Sequence, residues 1–493
     1  MQMSENAVII NSADNVAVML HDVPKGTDIF GIATIDDIPR GHKMTMRAIT
    51  TNQDIIKYGY PIGHATIDIA PGRHVHTHNL RTNLHGLLEY DYCPEPVAVL
   101  PRKQGTFPGY VRSDGLVGIR NEIWIINTVG CVNKIAERIV NQAERRNNGR
   151  VDGIYTFVHP WGCSQLGDDH GFTQTILKNM VNHPNAAGVL VLGLGCENNN
   201  IPEFQQALGE WDENRVKFLN AQDVDDEVNV GVALVEELIQ YAEKFTRQDV
   251  CISNLVIGLK CGGSDGFSGI TANPLVGQLS DDIIAYGGTS ILTEVPEMFG
   301  AETILMNRCK NIAAFDKTVK LINDFKGYFI KHDQEIYENP SPGNKDGGIS
   351  TLEDKSLGCT QKGGTSQVVD VLDYGETVRK RGLNLLQGPG NDIVAVTNLM
   401  AAGAHMVLFT TGRGTPLGAP IPTVKISSNS QLAHHKPTWI DFNAGTLLEG
   451  KDMDSLSQKF FNYIIAVASG EIQTQNEIND YREISIFKDG VIL

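Results

Sequence analysis

Three apolar runs, WIINTVGC (residues 124–131), IYTFVHPWGC (154–163) and AAGVLVLGLGC (186–196), decide how this chain folds. Each has the length of one buried strand and ends in a polar, glycine-rich turn that carries a cysteine. Cys131, Cys163 and Cys196 follow one another at intervals of 32 and 33 residues, about one strand–helix–strand repeat. Between the first two runs lies NKIAERIVNQAERR (133–146), whose apolar positions have helical period. This alternation belongs to a parallel sheet covered by helices. Ligands of open α/β sheets bind at the carboxyl ends of strands, where these thiols fall. Cys261 lies 65 residues beyond Cys196, two such intervals. The plainer alternative is a small apolar residue closing each strand.

Outward from this core the texture changes. The first ninety residues are β-rich and carry the turns VPKG (23–26), IPRG (38–41) and APG (70–72), where proline fixes φ and glycine permits φ > 0. We read residues 1–92 as a small β-rich domain. CPEPVAVLPRKQGTFPG (93–109) has four prolines and reads as a strap-like linker. A middle α/β domain then takes 110–250 and a C-terminal α/β domain 251–493. In the latter, LNLLQGPGNDIVAVTNLMAAGAHMVLFTTGRG (383–414) reads as strand, Gly-Pro-Gly turn, helix capped by Asn391 or Asp392, and strand ending in a glycine-rich loop. Such a helix N-terminus beside a strand end attracts carboxylates or phosphates. Residues 332–364, rich in Gly, Pro, Ser and Asn, read as a long functional loop.

Composition narrows the partners. The 493 residues carry 41 Lys and Arg against 58 Asp and Glu, a formal charge of −17, which repels phosphate backbones and anionic lipid. No nucleic acid and no membrane partner is expected. The run at 186–195 is half of what a membrane span needs, and MQMSENAVII lacks the basic and apolar regions of a secretory signal. A cytoplasmic protein is expected. Eight cysteines are too sparse for a disulfide scaffold and stay available for metal or chemistry.

Nucleotide fingerprints fail: GLGCEN (193–198) has Asn198 where a third glycine is needed, and no GxxxxGK[ST] occurs. The densest ligand group is HVHTHN (74–79), whose His74, His76 and His78 would share one face of a strand and suit ferrous iron, manganese or zinc. An exposed polar strand is the competing reading. His42 and His64 add imidazoles, Tyr58 a phenol, and Lys57 a base or anion anchor. HPWGCSQLGDDH (159–170) sets His159, Cys163, Asp168 and Asp169 on one strand-to-helix loop, with a helix cap as the alternative for the aspartates. CGGSDGFSG (261–269) offers Ser264, Asp265 and free backbone to a polyhydroxylated ligand. TEVPEMFGAE (293–302) brings Glu294 and Glu297, and the segment from Glu338 to Gly364 brings Asn339, Asn344, Glu353, Lys355, Ser356 and Cys359. TGRGTP (411–416) brings Arg413, whose fork clamps carboxylates.

Together, IPRGHKM, DIIKYGYPIGHA, HVHTHNLRTNL, VGIRNE, TVGCVN, GCSQLGDDH, GLGCENN, CGGSDGFSGITANP, TEVPEMFGAE, ENPSPGNK, LEDKSLGCTQK, PGND and TGRGTP resemble the altronate/galactarate dehydratase family, in order and from end to end. Ile119, where valine is usual, is a conservative departure. HVHTHNLRTNL favours the altronate branch. The resemblance implies a multidomain α/β fold, with an N-terminal SAF-type β-clip domain followed by α/β domains with Rossmann-like parallel sheets. It also implies a hydro-lyase of hexuronate catabolism that uses Fe²⁺ or Mn²⁺ to convert D-altronate to 2-dehydro-3-deoxy-D-gluconate. Removing a weakly acidic proton at carbon 2 and expelling hydroxide from carbon 3 requires a Lewis acid and tuned acid/base groups.

The candidate cast is Lys57, Tyr58, His159 and Asp168 for acid/base work. Arg120, Ser264, Asp265, Asn344, Lys355 and Arg413 are candidates for holding a small sugar acid, and His76, His78, Cys163, Cys196 and Cys261 for holding metal. A homo-oligomer, at its simplest a dimer, is expected. Competing readings are a galactarate or other hydroxy-acid lyase, a non-catalytic sugar-acid sensor, and an iron–sulfur redox protein, the last lacking the close C-x₂-C spacing.

The histidines supply a test. Exchanging His76 and His78 for Gln keeps size and polarity but weakens metal binding. Turnover is expected to fall by orders of magnitude and to recover partly with excess metal, while the α/β cores stay folded. Calorimetric metal titration checks it; parental affinity and turnover would reduce these histidines to a solvated face.

Overall fold

The computed structural model describes residues 2–95, 97 and 102–492. Its first domain is built from short strands: β1 (Gln2–Met3), β2 (Ala7–Ile9), β3 (Val16–Met19), β4 (Lys43–Thr45), β5 (Asp54–Lys57), β6 (Tyr60–Ala65), β7 (His74–Val75) and β8 (Leu80–Arg81). They form two antiparallel sheets, in the orders β1-β2-β3-β4-β7 and β8-β6-β5. The three turns read from the sequence are present, with Gly26, Gly41 and Gly72 at φ between +81° and +88°. At Gly72 a Cβ would also lie 2.3 Å from the Ala33 carbonyl oxygen, so no other residue closes that turn without strain. Val16, Ile49, Ile55, Ile62, Val75 and Leu80 make a small core, completed by Leu357 from the C-terminal domain.

The middle domain contains β9 (Thr106–Val111), β10 (Val117–Gly118), β11 (Glu122–Asn127), α1 (Asn133–Asn147), β12 (Gly153–Thr156), α2 (Gly167–Val181), β13 (Ala186–Gly193), α3 (Ile201–Leu208), β14 (Val216–Asn220), α4 (Glu227–Ala242) and β15 (Arg247–Cys251). The three opening runs supply strands β11, β12 and β13 of a parallel sheet in the order β12-β11-β13-β14, but the second is a strand only to Thr156 and continues to Cys163 as a loop. β11 and β13 are buried throughout, because helices cover both faces and every side chain meets a core. One face packs Ile123 and Leu190 on Ile139, Val235 and Leu238 of α1 and α4. The other packs Trp124 and Val191 on α2 and on Leu399 and Phe409 of the C-terminal domain, so the two α/β layers share apolar contacts. β9 begins within the expected linker and pairs antiparallel with β15, which sets the entry and exit of this domain side by side. Pro96 and residues 98–101 of that linker lie outside the described residues.

The C-terminal domain holds β16 (Val256–Cys261), α5 (Ala272–Ala285), β17 (Thr289–Leu292), α6 (Leu352–Cys359), β18 (Val368–Leu372), β19 (Gly382–Leu386), α7 (Asp392–Ala401), β20 (Met406–Thr411), β21 (Thr423–Ser427), β22 (Phe442–Asn443) and α8 (Met453–Ala468). All seven strands are parallel, in the order β18-β19-β17-β16-β20-β21-β22. The chain is therefore a multidomain α/β protein with Rossmann-like sheets. Asn391 caps α7 by accepting the Val394 N–H at 3.2 Å. Residues 332–364 differ from the loop expected of them: they contain a helix at Pro342–Asp346 capped by Ser341, and α6, capped by Thr351. The eight residues of α6 are all buried. Tertiary burial folds a segment whose glycines and prolines argue against a helix. No described helix is long and apolar enough to cross a membrane.

The seam between the two α/β domains is sensitive to acid. His183 is within 3.0 Å of the Ala404 carbonyl, Asn185 donates to the His405 carbonyl, and His405 accepts the Val256 N–H at 3.0 Å. Burial lowers His183 to about 3 and His405 to about 4. Both are neutral in the fold and titrate near 6.5 when unfolded. The unfolded chain thus binds protons the folded chain refuses between pH 6.5 and about 4, and stability falls as pH falls through that window. His405 alone contributes up to about 3 kcal/mol to this loss. Urea melts at pH 7.5 and 5 are expected to show it, and His405→Asn to flatten it; an unchanged slope in that variant would place the acid sensitivity elsewhere.

Candidate active site

In the C-terminal sheet the chain runs from β16 to β17, on to the edge strand β18, back to β19 between those two, and then crosses to β20 on the other side of β16. The topological switch point is the carboxyl end of β16 and β20, where an open α/β sheet binds its ligand. A cleft of about 500 Å³ opens there, lined among others by Gly262, Glu297, Asn344, Lys355 and Asp392.

Its floor is a buried cluster. Cys261 Sγ and Cys359 Sγ are 3.4 Å apart, and Glu297 Oε2 is 3.1 and 3.2 Å from them. Among the described residues this is the set of three His, Cys, Asp or Glu ligand atoms that lie within 4.8 Å of one another. Three ammonium groups surround it. Lys362 Nζ donates to Cys261 Sγ at 2.9 Å, Lys355 pairs with Glu297 Oε1 at 2.8 Å, and Lys260 pairs with Glu294 and, at 2.9 Å, with Asp392. Burial raises Glu294, and the charge on Glu297 raises it further. Burial works the same way on Glu297, but Lys355, Lys260 and Lys362 outweigh it and hold that carboxyl well below the usual range. Two neighbouring carboxyls driven apart in this way suit opposite proton-transfer roles. Glu294 also sits at φ +71°, a left-handed conformation that a non-glycine residue keeps only when its surroundings hold it.

α6 carries Lys355 and Cys359, four residues apart and so on one face, into this cluster. Its other face is gripped by the N-terminal domain. Asp354 pairs with Lys43 at 2.8 Å and Lys57 at 2.9 Å, all three side chains at most 1% exposed. Lys43 donates further to the Gly348 carbonyl and Ser350, and Thr351 donates to the Ile62 carbonyl at 2.6 Å. Burial opposes the charge on Lys57, but Asp354 more than compensates, and Lys57 holds its proton. Of base and anion anchor, the ion pair supplies the second. Tyr58 packs beside it, its phenol pushed up to about 12 by burial.

At the same junction His42, just ahead of β4, falls opposite His76 in the β4–β7 register, with His74 on the same face. His42 Nδ1 and His74 Nε2 are 3.0 Å apart, His42 Nε2 lies 3.2 Å from the Asp346 carbonyl, and His76 Nδ1 lies 2.8 Å from Ser350 Oγ. Burial lowers His74 to about 4 and His76 to about 3, keeping these imidazoles neutral and able to bind metal. His78 is exposed, its ring 5.3 Å from that of His74.

The other candidates divide. Asn344 donates to the Ser264 carbonyl and accepts from Lys355, so both residues frame the cleft, and the Ser264 hydroxyl is buried without a partner. Arg413 is exposed on the rim near Gly343. The Asp265 carboxylate is occupied by Phe267, Ser268, Ser428 and Asn429 and locks the loop after β16 to β21. Arg120 forms a buried bidentate pair with Glu477, away from the cleft. His159 lies 2.8 Å from the Asn127 carbonyl and accepts from the Trp161 N–H, both ring nitrogens thus engaged by backbone in the middle domain. Asp168 is exposed in the first turn of α2, and Cys163 and Cys196 are exposed in the loops that follow β12 and β13 of the middle sheet. Lys260 and Lys362 escaped the sequence reading. A charged residue inside the apolar strand VIGLKC was the available signal for the first; the second had none.

Residues 252–492 match the family description D-galactarate/Altronate dehydratase, C-terminal; 109–243 match D-galactarate dehydratase/Altronate hydrolase, second domain; and 5–83 match the Altronate/galactarate dehydratase SAF domain. The chain is 54% identical to the altronate dehydratase of Bacillus subtilis (strain 168) over 492 residues, covering 98% of this chain and 99% of that one. It is equally identical to the altronate dehydratase of Escherichia coli (strain K12) over 494 residues, with the same coverage. The galactarate dehydratase (L-threo-forming) of Escherichia coli is 34% identical over 489 residues, covering 94% of this chain and 93% of that one.

Removing the charge of Asp354 tests how the cleft is held. Asp354→Asn leaves two buried ammonium groups without a counter-charge, and a loss of about 3–5 kcal/mol in unfolding free energy is expected. Urea denaturation measures it; a loss within experimental error of zero would show that the domains dock by other contacts.

Proposed function

The chain belongs to the altronate/galactarate dehydratase family, and on that premise we propose that it is a hydro-lyase converting D-altronate to 2-dehydro-3-deoxy-D-gluconate and water in hexuronate catabolism. The near full-length identity of 54% to two altronate dehydratases carries this reading, against 34% to a galactarate dehydratase. A cytoplasmic location and a homo-oligomer, at its simplest a dimer, go with it.

The donor set of Cys261, Cys359 and Glu297 fits a divalent transition metal, because soft sulfur and hard oxygen converge at 3.1–3.4 Å. Sulfur ligation favours Fe²⁺ over Mn²⁺, and the neutral imidazoles of His42, His74 and His76 stand near this junction without converging on one point as the Cys261 group does. A bound cation supplies Lewis-acid stabilisation of the charge that develops on the substrate carboxylate and carbon 2 hydroxyl. The protein's own groups do the rest. Lys355 and Arg413 bind the carboxylate, while Asn344 and the unpartnered Ser264 hydroxyl orient the hydroxyl groups. Asp392, held by Lys260 at the N-terminus of α7, is placed in this scheme to take the carbon 2 proton. Glu294, whose proton affinity burial and Glu297 raise, is assigned in this scheme to deliver a proton to the leaving hydroxyl at carbon 3, giving water and an enol that becomes the 2-keto acid.

Purified protein given Fe²⁺ or Mn²⁺ under reducing conditions is expected to form a 2-keto-3-deoxy acid from D-altronate without a nicotinamide. Carbonyl trapping of the product follows it. Turnover of galactarate with altronate untouched would move the assignment to the sister activity, and binding without turnover of either acid would favour a sensor.

A further inference from the structure

The middle domain has its own switch point, separate from the cleft at the ends of β16 and β20. Its chain starts in the centre of the sheet at β11, steps to β12 on one side and then to β13 on the other, so the crevice falls at the carboxyl end of β11. The three loops that leave this edge carry the same dipeptide: Gly130-Cys131, Gly162-Cys163 and Gly195-Cys196.

Backbone packing requires Gly130 and Gly162, and a positive φ of +124° favours glycine at 195. A Cβ on Gly162 would lie 2.0 Å from the Thr128 carbonyl oxygen, one on Gly130 2.7 Å from that of His159, and one on Gly195 2.9 Å from Gln222 Oε1. Hydrogen bonds stitch the loops together. The Gly130 N–H donates to the Trp161 carbonyl at 2.9 Å, the Asn199 N–H to that of Gly162 at 3.0 Å, and the Ser164 N–H to Asn198 Oδ1 at 2.8 Å. His159 joins the same unit through the Asn127 carbonyl. Three loops from three adjacent strands are thereby fixed against one another, and each presents an exposed thiol. Exposed thiols add nothing to a core, and weak contacts of Cys163 with Ser164 and of Cys196 with Gln222 do not account for them. The fully buried Oδ1 atoms of Asn127 and Asn199 at this end also lack partners.

Spacing separates the ligands this edge suits. A single zinc with Zn–S bonds of about 2.3 Å needs sulfurs roughly 3.8 Å apart. The three sulfurs are not all within 4.8 Å of one another, since among the described residues the Cys261 set alone meets that limit. A polynuclear cluster, whose irons each take one cysteine, accepts the wider span. We propose that Cys131, Cys163 and Cys196 hold a four-iron, four-sulfide cluster through three thiolates, leaving one iron to an oxygen or small thiol ligand. Loading is ligand exchange: three small thiolates on a preformed cluster leave as thiols with the protons of the three cysteines, and no oxidation state changes.

The full-length chain is incubated anaerobically with a preformed cluster carried by small thiolates, then desalted. Absorption, iron and acid-labile sulfide are measured for the parent, for Cys131→Ala, Cys163→Ala and Cys196→Ala, and for Cys251→Ala, an exposed cysteine outside these loops. The parent and Cys251→Ala are expected to keep the sulfur-to-iron absorption band with equal iron and sulfide, and the three strand-end variants to lose it at unchanged melting temperature. A colourless parent, iron retained without sulfide, or equal loss in Cys251→Ala would overturn the proposal. Altronate turnover is scored separately on the same samples, so failure of the cluster and failure of the dehydratase reading are distinguishable.

Discussion

Asp354 stands between Lys43 and Lys57 with essentially no surface exposed on any of the three. Removing an ion from water costs several kcal/mol, repaid only when opposite charges meet in good geometry. That geometry exists in one relative position of the N-terminal sheet and α6, so the triad specifies where the first domain docks. Gly41 marks how close the docking is: its carbonyl oxygen lies only 2.2 and 2.1 Å from where a Cβ would stand on Gly266 and Gly348. With one face of α6 held this way, the opposite face carries Lys355 and Cys359 to the carboxyl end of β16. The small domain thus positions the cleft, and its histidines reach the same junction through Asp346 and Ser350.

The cleft itself concentrates charge where there is little water to disperse it. Lys260, Lys355 and Lys362 face Glu294, Glu297 and Asp392, and the two thiols sit among them. Unequal surroundings push Glu294 and Glu297 in opposite directions although they are three residues apart in sequence. The left-handed backbone at Glu294 turns its carboxylate back to the Cys261 N–H, 2.9 Å away. Local strain and buried polarity of this kind are what a reactive site retains at the expense of stability.

The two parallel sheets use strand-end cysteines differently. Cys261 is buried, paired with a carboxylate and a lysine, and belongs to a closed polar cluster. Cys131, Cys163 and Cys196 are exposed on a rigid rim. The same residue type at the same place in the same kind of sheet takes on different chemistry because helices and neighbouring domains cover one edge and leave the other open.

Much of this organisation was legible in the sequence. The runs at 124–131 and 186–196 specify buried parallel strands, the run at 154–163 opens with a short edge strand, the three Pro/Gly turns specify the β-rich domain, and Asn391 caps its helix, because period, turn chemistry and capping are set by neighbours a few residues away. Cys261, Asn344 and Lys355 stood out as candidates, and the cleft brings them together. The end-to-end motifs marked the family. Tertiary structure alone decided the rest. It folded α6 within a segment that reads as a loop, assigned Lys57 to an ion pair, and disclosed Lys43, Lys260 and Lys362 as buried charges. The partners of Lys43 and Lys57 in that pair lie 311 and 297 residues away. A lysine in sequence reads as solvated because water is its default partner. Only when distant segments exclude that water does its charge acquire a fixed counter-ion, a shifted proton affinity and a role.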